Sequence, residues 1–406
     1  MKKIAAITMG TVLGTMTLNA RSVELPRPGV FDEVVGMNIH TTNTSMAELK
    51  LVEEGGWSFM RADLNWPLVE TTKGQYNFGP GGQWPIDVTV QRWHGELGHS
   101  IMLILCDVGK NVHGKQWSPE WQDGFVKFAA ATAAHYKGKG VIYELLNEPF
   151  KDPIEDQYPP SVYVDLARRA AKAIREVDPD AKIVGGVVSP LFAPDYLKAW
   201  MKLGLLDIVD ALSLHPYPSE QGRPEELVEM YAEVRHWMKE YGGKVIPLMS
   251  SECGWYTEPV PNGRPYEVQA QYGVRYHLIN LSQGVFGSIQ FCFRTYPDPT
   301  NPDANWGMMK PHSATANEEP VLADAKPAYF AVQKMAQALK GKHFSHRIDV
   351  DFSYDWLLVF EGPDGRQTLA AWTVFDFGRT VKVPGWGTLN LTKMPIYVDQ
   401  PNAEGR

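Results

Sequence analysis

Two glutamates in this 406-residue chain stand where acid–base and nucleophilic chemistry could be done. Glu148 lies in Leu145-Leu146-Asn147-Glu148-Pro149, and Glu252 in Ser250-Ser251-Glu252-Cys253-Gly254-Trp255. Each follows directly on a short apolar run. Two carboxyl groups that face each other can divide the work: one keeps a proton and delivers it, the other stays ionised and attacks. Held about 5–5.5 Å apart across one sugar ring, such a pair is what glycoside hydrolysis with retention of configuration requires. Whether they can meet depends on the elements that carry them.

From residue 34 onward, short β-branched runs alternate with longer amphipathic segments. The strand-like runs are Val34–Ile39, Ser58–Ala62, Ile101–Cys106, Val141–Leu146, Lys182–Val188, Val209–Leu214, Val245–Ser250 and Ser288–Phe293. Helical periodicity covers Trp117–Tyr136, Ser161–Val177, Glu225–Tyr241, Tyr266–Ser282 and Lys326–Leu339, with Ser161 placed as an N-cap and Pro179 just past that helix's end. Eight strands, each followed by a helix, predict an α/β fold, a (β/α)8 TIM barrel over residues 21–340. A doubly wound open sheet would carry a glycine-rich phosphate turn after its first strand, but Ile39 is followed by His-Thr-Thr-Asn-Thr. Beyond residue 340 the pattern turns to alternation without helices. Ile348–Phe352, Trp356–Phe360, Thr368–Val374, Thr380–Val383 and Pro395–Val398 predict a small C-terminal β appendage, residues 341–406, packed on the barrel and completed by Val23–Val30.

A barrel of this kind puts its chemistry at the C-terminal ends of the strands. Those ends carry His40, Arg61, Asp63, Asp107, Asn147, Glu148, His215, Tyr217, Glu252, Trp255 and Arg294, whereas the opposite ends are dominated by Gly, Lys and Asp-Pro turns. Strands 4 and 7 are three apart in a ring of eight, so Glu148 and Glu252 are predicted to converge across the mouth. His40 and His215 suit either a ligand contact or polar filling of the barrel.

On these residues the chain resembles the clan A glycoside hydrolases, particularly barrels similar to families 5 and 39. The resemblance spans about residues 34–340 and rests on Gly36-Met-Asn-Ile-His40, Arg61-Ala-Asp-Leu-Asn-Trp66 with Glu70, Gly74 and Tyr76, Asn147-Glu-Pro149, His215-Pro-Tyr217 and Glu252-Cys-Gly254. It implies that Glu148 is the acid/base and Glu252 the nucleophile. Asn147 would bond the sugar 2-hydroxyl, while Arg61 and Tyr217 would hold Glu252. A guanidinium beside Glu252 favours its ionised form, which agrees with that division. His215 would tune Glu148 or bind substrate. Two features depart from the pattern. Cys106-Asp107 stands where family 5 usually carries a His. The run Phe291-Cys-Phe293-Arg294-Thr-Tyr296 stands where a Trp commonly ends strand 8. Either phenylalanine can supply the apolar face there, and Phe293 is the one assigned to substrate.

Sugars offer C–H faces that stack on aromatic rings and hydroxyls that need polar partners. Trp66, Trp117, Trp255, Tyr256 and Trp306 fall in loops on the predicted mouth side. The expected substrate contacts are His40, Trp66, Trp255, Phe293 and Trp306. The Pro-, Asn- and Asp-rich stretch Tyr296–Ala325 is long for a connection and reads as a lid or cleft wall.

Composition narrows the partners. A net charge of −8 and a pI near 5.8 argue against nucleic acid, which calls for concentrated Lys and Arg, and suit a neutral or cationic ligand. A carbohydrate is the expected partner. Lys2 and Lys3 ahead of a weakly apolar stretch to Leu18, with Ala20 as a cleavage site, read as a secretory signal over residues 1–20. That predicts a secreted or periplasmic protein with no membrane insertion once the signal is removed. Cys106, Cys253 and Cys292 permit one bridge at most and read as buried small hydrophobes. There is no CxxC or HExxH, so no metal and no cofactor is expected. Together these readings predict a retaining β-glycoside hydrolase of polysaccharides or oligosaccharides, endo-β-glucanase-like in action. The alternatives are an exo-acting β-xylosidase or β-glucosidase and a catalytically inactive carbohydrate-binding barrel.

Overall fold

The computed structural model describes residues 24–40, 44–149, 159–219, 222–260, 262–295, 304–311 and 319–400. Eight parallel strands close into a barrel: β1 (Val35–Ile39), β2 (Phe59–Asn65), β3 (Ser100–Cys106), β4 (Val141–Leu145), β5 (Lys182–Val188), β6 (Ala211–Leu214), β7 (Leu248–Cys253) and β8 (Ser288–Gln290). Each strand pairs with the next, and β8 returns to β1 in the register Val35 to Ser288. The predicted barrel is therefore present. β7 starts three residues later than predicted because Pro247 has no N–H for the ladder; its carbonyl accepts from Leu212 instead.

Helices Pro119–Tyr136, Pro160–Val177, Leu227–Gly242, Tyr266–Ser282 and Pro327–Leu339 lie close to their predicted spans. Ser161 is not an N-cap. The chain enters that helix through Pro159, with Pro160 in the first turn, where a missing N–H forfeits no helical bond.

Alternation along the strands builds the barrel interior in layers. Phe59, Met102, Ile142, Val184, Ala211, Met249 and Ile289 make an apolar floor, joined by Phe286 and by Leu25 from the N-terminal stretch. Gly36 belongs at this level: a Cβ there would stand 2.3 Å from Ile289 Cδ1 and 2.4 Å from the Phe59 carbonyl oxygen. Two residues further along their strands come Arg61, Glu144, Ser213 and Ser251, all buried. So a hydrophobic plug supports a polar second layer, and the mouth opens above that.

The C-terminal region forms a four-stranded antiparallel sheet in the order β14-β11-β10-β9 and a separate β12–β13 pair. Its strands are β9 (His343–Arg347), β10 (Asp355–Glu361), β11 (Gln367–Thr373), β12 (Arg379–Val383), β13 (Gly387–Leu391) and β14 (Ile396–Asp399). The first differs from the predicted Ile348–Phe352. β9 is the edge sequence His-Phe-Ser-His-Arg, mostly exposed, with no apolar alternation to reveal it. β13 likewise has no counterpart among the predicted strands. Among the described residues the expected N-terminal contribution is one short bridge, Val30 antiparallel to His343, with the Gly29 carbonyl accepting from Phe344 N. The sheet is pinned to the barrel where Trp372 Nε1 donates to Glu225 Oε1 at 2.8 Å. The secretory signal expected over residues 1–20 lies outside the described residues. No described helix is long and apolar enough to cross a membrane. All three cysteines are buried and unbridged.

Candidate active site

Arg61 organises the mouth. Strand β2 carries it in the middle, not at the end as the sequence suggested, and its side chain is fully buried. Nε donates to Glu144 Oε2 at 2.7 Å, Nη1 to Glu252 Oε2 at 3.1 Å and Nη2 to Asn147 Oδ1 at 2.8 Å. Burial works against the cation, but the carboxylates of Glu144, Glu252 and Asp63 outweigh it and raise the guanidinium above its ordinary pKa. Arg61 is thus a permanent positive charge bonded to residues of three other loops and strands.

Glu252 reaches the mouth because β7 is irregular. Ser250 pairs with Ser288 and Cys253 with Gln290, so three steps on β7 oppose two on β8. Without that bulge, alternation from inward-facing Met249 and Ser251 would turn Glu252 outward. Both of its oxygens are held: Tyr217 Oη donates to Oε1 at 2.7 Å and Arg61 to Oε2. Burial and the neighbouring Glu252 charge push the Tyr217 phenol well above its ordinary pKa, which keeps it a donor.

Glu148 sits just past β4 on a constrained backbone. Leu146 (φ 65°) and Glu148 (φ 44°) both occupy the left-handed region that side chains with a Cβ rarely adopt. Such conformations cost about 1–3 kcal/mol each and persist only where the surroundings enforce them. His215 lies fully buried between the two acids. Its Nδ1 is 3.0 Å from Glu148 Oε1, and its Nε2 is 3.4 Å from Arg61 Nη2 and 3.7 Å from Glu252 Oε2. Arg61 can only donate, so Nε2 accepts and the ring hydrogen resides on Nδ1, directed at Glu148.

A pocket of about 370 Å³ opens over this cluster. Glu148 and Glu252 both line it, with Tyr217, Trp255, Tyr256, Phe291 and Trp306 as aromatic wall and Ser189, Phe192, Ser219, Asn262 and Arg264 around them. Trp306 meets Tyr217, Tyr256 and Phe291 edge-on at 5.4, 5.1 and 5.9 Å between centroids. Trp255 and Trp306, two of the expected contacts, therefore line the pocket. Trp306 belongs to the stretch Tyr296–Ala325, of which residues 296–303 and 312–318 lie outside the described residues.

Three expected contacts do not reach the pocket. Trp66 is fully buried in a one-turn helix, Trp66–Val69, stacked on Phe128 at 5.5 Å, with its Nε1 donating to Glu70. No ring face is left for a sugar. Phe293 is 1% exposed and packs edge-on to Trp57, and Phe291 takes its place on the pocket wall. Residues two apart on a strand share a face, so alternation would turn both phenylalanines the same way; the ladder of β8 ends at Gln290, and they part. His40 stands behind Phe291, 5.1 Å between ring centroids, and is not among the lining residues. Its Nδ1 pairs with Asp63 Oδ2 at 2.7 Å. Burial opposes both charges, yet mutual attraction raises the His40 pKa and lowers that of Asp63. Asp107 receives hydrogen bonds from Asn111 and Trp121, and Arg294 pairs with Glu48.

Glu144 escapes a reading of the sequence by strand ends. It is fully buried, takes the Arg61 Nε bond and lies 2.6 Å from Ser213 Oγ. A carboxylate inside the otherwise apolar run Val141-Ile-Tyr-Glu144-Leu was the available signal. Phe192, Asn262 and Arg264 lie in loops with no periodicity to expose them.

The fold and this ring of inward side chains define a closed (β/α)8 barrel with a paired-carboxylate pocket at the C-terminal ends of its strands. No protein-family model matches the sequence, and no curated protein does. Solved structures do. The chain is similar to a family 39 glycoside hydrolase from the gut symbiont Bacteroides cellulosilyticus, with a TM-score of 0.72 at 20% identity over 92% of this chain and 83% of that one. It is also similar to an endo-β-1,6-glucanase, with a TM-score of 0.63 at 11% identity over 93% of each chain. A family 39 β-xylosidase from Caulobacter crescentus gives a TM-score of 0.57 at 16% identity over 89% of this chain and 81% of that one. The likeness is one of fold, and the fold is the one these glycoside hydrolases share.

Proposed function

We propose that the protein is a retaining β-glycoside hydrolase acting on a polysaccharide or its oligosaccharides. The observation that carries this reading is that Glu148 and Glu252 line one pocket, with the two nitrogens of His215 set between them. Glu252, held at both oxygens by Arg61 and Tyr217, is oriented for attack on the anomeric carbon. Glu148 receives the His215 hydrogen on Oε1, and Oε2 carries the proton given to the departing glycosidic oxygen. That step breaks the C–O bond and forms an ester between the sugar and Glu252. Glu148, now ionised, takes a proton from water; the hydroxide attacks the anomeric carbon and frees Glu252. On this reading Asn147, whose Oδ1 accepts from Arg61 Nη2, would meet the 2-hydroxyl.

Endo action on a β-glucan is the preferred finer reading, supported by the exposed aromatic Phe192 on the pocket rim and by the likeness to an endo-β-1,6-glucanase. Exo action on a xyloside or glucoside is the second reading, supported by the likeness to a β-xylosidase. Residues 1–20 would export the chain to where polysaccharides are met.

The test is a pair of variants. Glu148→Ala should lose activity on natural glycosides yet retain turnover of aryl glycosides whose leaving groups need no protonation. Glu252→Ala should be inactive on both, with azide restoring a product of inverted configuration. Exchanged behaviour would reverse the two roles. A wild-type protein inert toward a panel of aryl β-glycosides and polysaccharides would leave only the carbohydrate-binding reading.

A further inference from the structure

Four aromatic residues of the C-terminal region gather in two turns facing solvent. Phe352 and Tyr354 lie between β9 and β10; Phe375 and Phe377 lie between β11 and β12. Tyr354 is 43% exposed, Phe375 38% and Phe377 73%. They form one cluster, with ring centroids 5.2 Å apart for Phe352–Tyr354, 5.6 Å for Phe352–Phe375 and 5.8 Å for Phe375–Phe377. Arg379 stacks its guanidinium 3.7 Å from the Phe352 ring centre, which fixes the inner member. The outer rings are therefore presented on a held base.

The cations Arg379 and Lys393 beside these rings each have a carboxylate partner. Arg379 meets Asp355 at 3.2 Å, and Lys393 meets Asp376 at 2.7 Å. A nucleic acid or an acidic membrane surface would call for uncompensated cations, on a chain whose net charge is −8. What the patch offers is aromatic faces with a few neutralised polar groups between them. That chemistry matches the C–H face of an uncharged pyranose ring and its hydroxyls.

Its position ties it to the pocket. Pro218 and Ser219 line the pocket, and Gly222 packs directly on them: a Cβ on Gly222 would stand 2.5 Å from Pro218 Cβ and 2.9 Å from Ser219 N. Arg223 follows, near enough to Asp376 to help lower that carboxyl's pKa, behind the stronger effect of Lys393. Asp376 stands between Phe375 and Phe377. Two residues past Arg223, Glu225 accepts the Trp372 indole hydrogen bond that anchors β11. Gly222, buried against Pro218 and Ser219, and Arg223 after it thus link the pocket rim to the turn that holds Asp376.

We propose that Tyr354, Phe375 and Phe377 form a second carbohydrate-binding surface, which grips a neutral polysaccharide chain while another stretch of it lies in the pocket. This rests on the glycosidase reading of the pocket, and it assigns the appendage a part in engaging polymer. The test compares the wild-type full chain with Phe377→Ala, Phe377→Trp and the double variant Tyr354→Ala/Phe375→Ala. Retardation is measured in native gels containing β-glucan, xylan or glucomannan, alongside turnover of the same polymers and of a small aryl β-glycoside.

Phe377→Ala should weaken polymer retardation about fivefold or more, because the most exposed stacking ring is gone. Phe377→Trp should preserve it. Turnover of polymer should fall in step while turnover of the aryl glycoside stays unchanged. Wild-type and alanine variants that migrate alike, or a wild type retarded in none of the gels, would overturn the proposal. So would a concentration-dependent dimer of the wild type that the alanine variants lose, since the patch would then be a contact between copies of this chain. Failure of the pocket reading shows separately, as absent aryl glycoside turnover.

Discussion

Replacing Glu144 by Gln removes one charge from the layer beneath Glu148 and Glu252 while keeping the side-chain shape. Glu144 and Arg61 are both fully buried and 2.7 Å apart. The amide oxygen of Gln can still accept from Arg61 Nε, and its NH2 can face Ser213 Oγ, so the hydrogen bonds survive and the charge does not. Removing one partner of a buried pair costs about 3–5 kcal/mol, and the retained bonds place this variant near about 3 kcal/mol. With about 2.1 cal/mol/K of unfolding entropy per residue, that corresponds to a Tm lower by about 4 °C for a chain of this size. Activity should fall as well. Without Glu144, the Arg61 cation is directly bonded to a single carboxylate, that of Glu252, and holds it more tightly. In the proposed mechanism Glu252 gives up its charge as it bonds to the anomeric carbon, so tighter holding stabilises the ground state more than the transition state. An extra 1.4 kcal/mol of such holding would lower kcat about tenfold with little change in KM. Thermal unfolding and steady-state kinetics on an aryl β-glycoside read both effects. A Tm within about 1 °C of wild type together with an equal or higher kcat would refute the idea that Glu144 shares the charge of Arg61 with Glu252.

Two further outcomes are expected. Lys326 is buried behind the loops that carry Trp255 and Trp306, its Nζ 3.0 Å from Thr257 Oγ1, and burial drags its pKa from 10.5 down to about 7. Between those two values the unfolded chain holds a proton that the folded chain has released, so stability rises with pH across that window and the full cost of burying the cation is felt below it. In Lys326→Met that slope should vanish, so the wild-type Tm should gain on the variant's from pH 7 to pH 9; a constant difference would contradict it. Trp66→Phe should lose about 1–3 kcal/mol of stability by leaving Glu70 without its indole donor, with KM for polymer unchanged. A raised KM with unaltered stability would return Trp66 to the pocket.

The barrel was legible because its evidence is local. A run of apolar β-branched residues followed by an amphipathic segment declares one strand and one helix, and eight repetitions of that pair leave few folds to choose from. The sites of Glu148 and Glu252 at the ends of β4 and β7 follow from the same count. The weaker signals came where local pattern is absent. β9 is a polar edge strand, and the loops bearing Phe192, Asn262 and Arg264 have no period at all.

Residue types and their spacing along the chain determined the strand count and the strand ends at which acids, amides and aromatics emerge. The family resemblance singled out Arg61 and Tyr217 among those ends, with His215 beside them. Only tertiary structure decided which of these touch. Arg61 and Glu252 are 191 residues apart and meet because the ring closes. A bulge in β7 turns Glu252 inward, and Glu144 becomes a charge partner because alternation stacks it level with Arg61. Phe291 rather than Phe293 lines the wall, and Trp66 is drawn into the helix layer instead of the mouth. The physical reason is the same throughout: periodicity along a segment says which face a side chain takes, while closure, bulges and packing between segments say what that face meets.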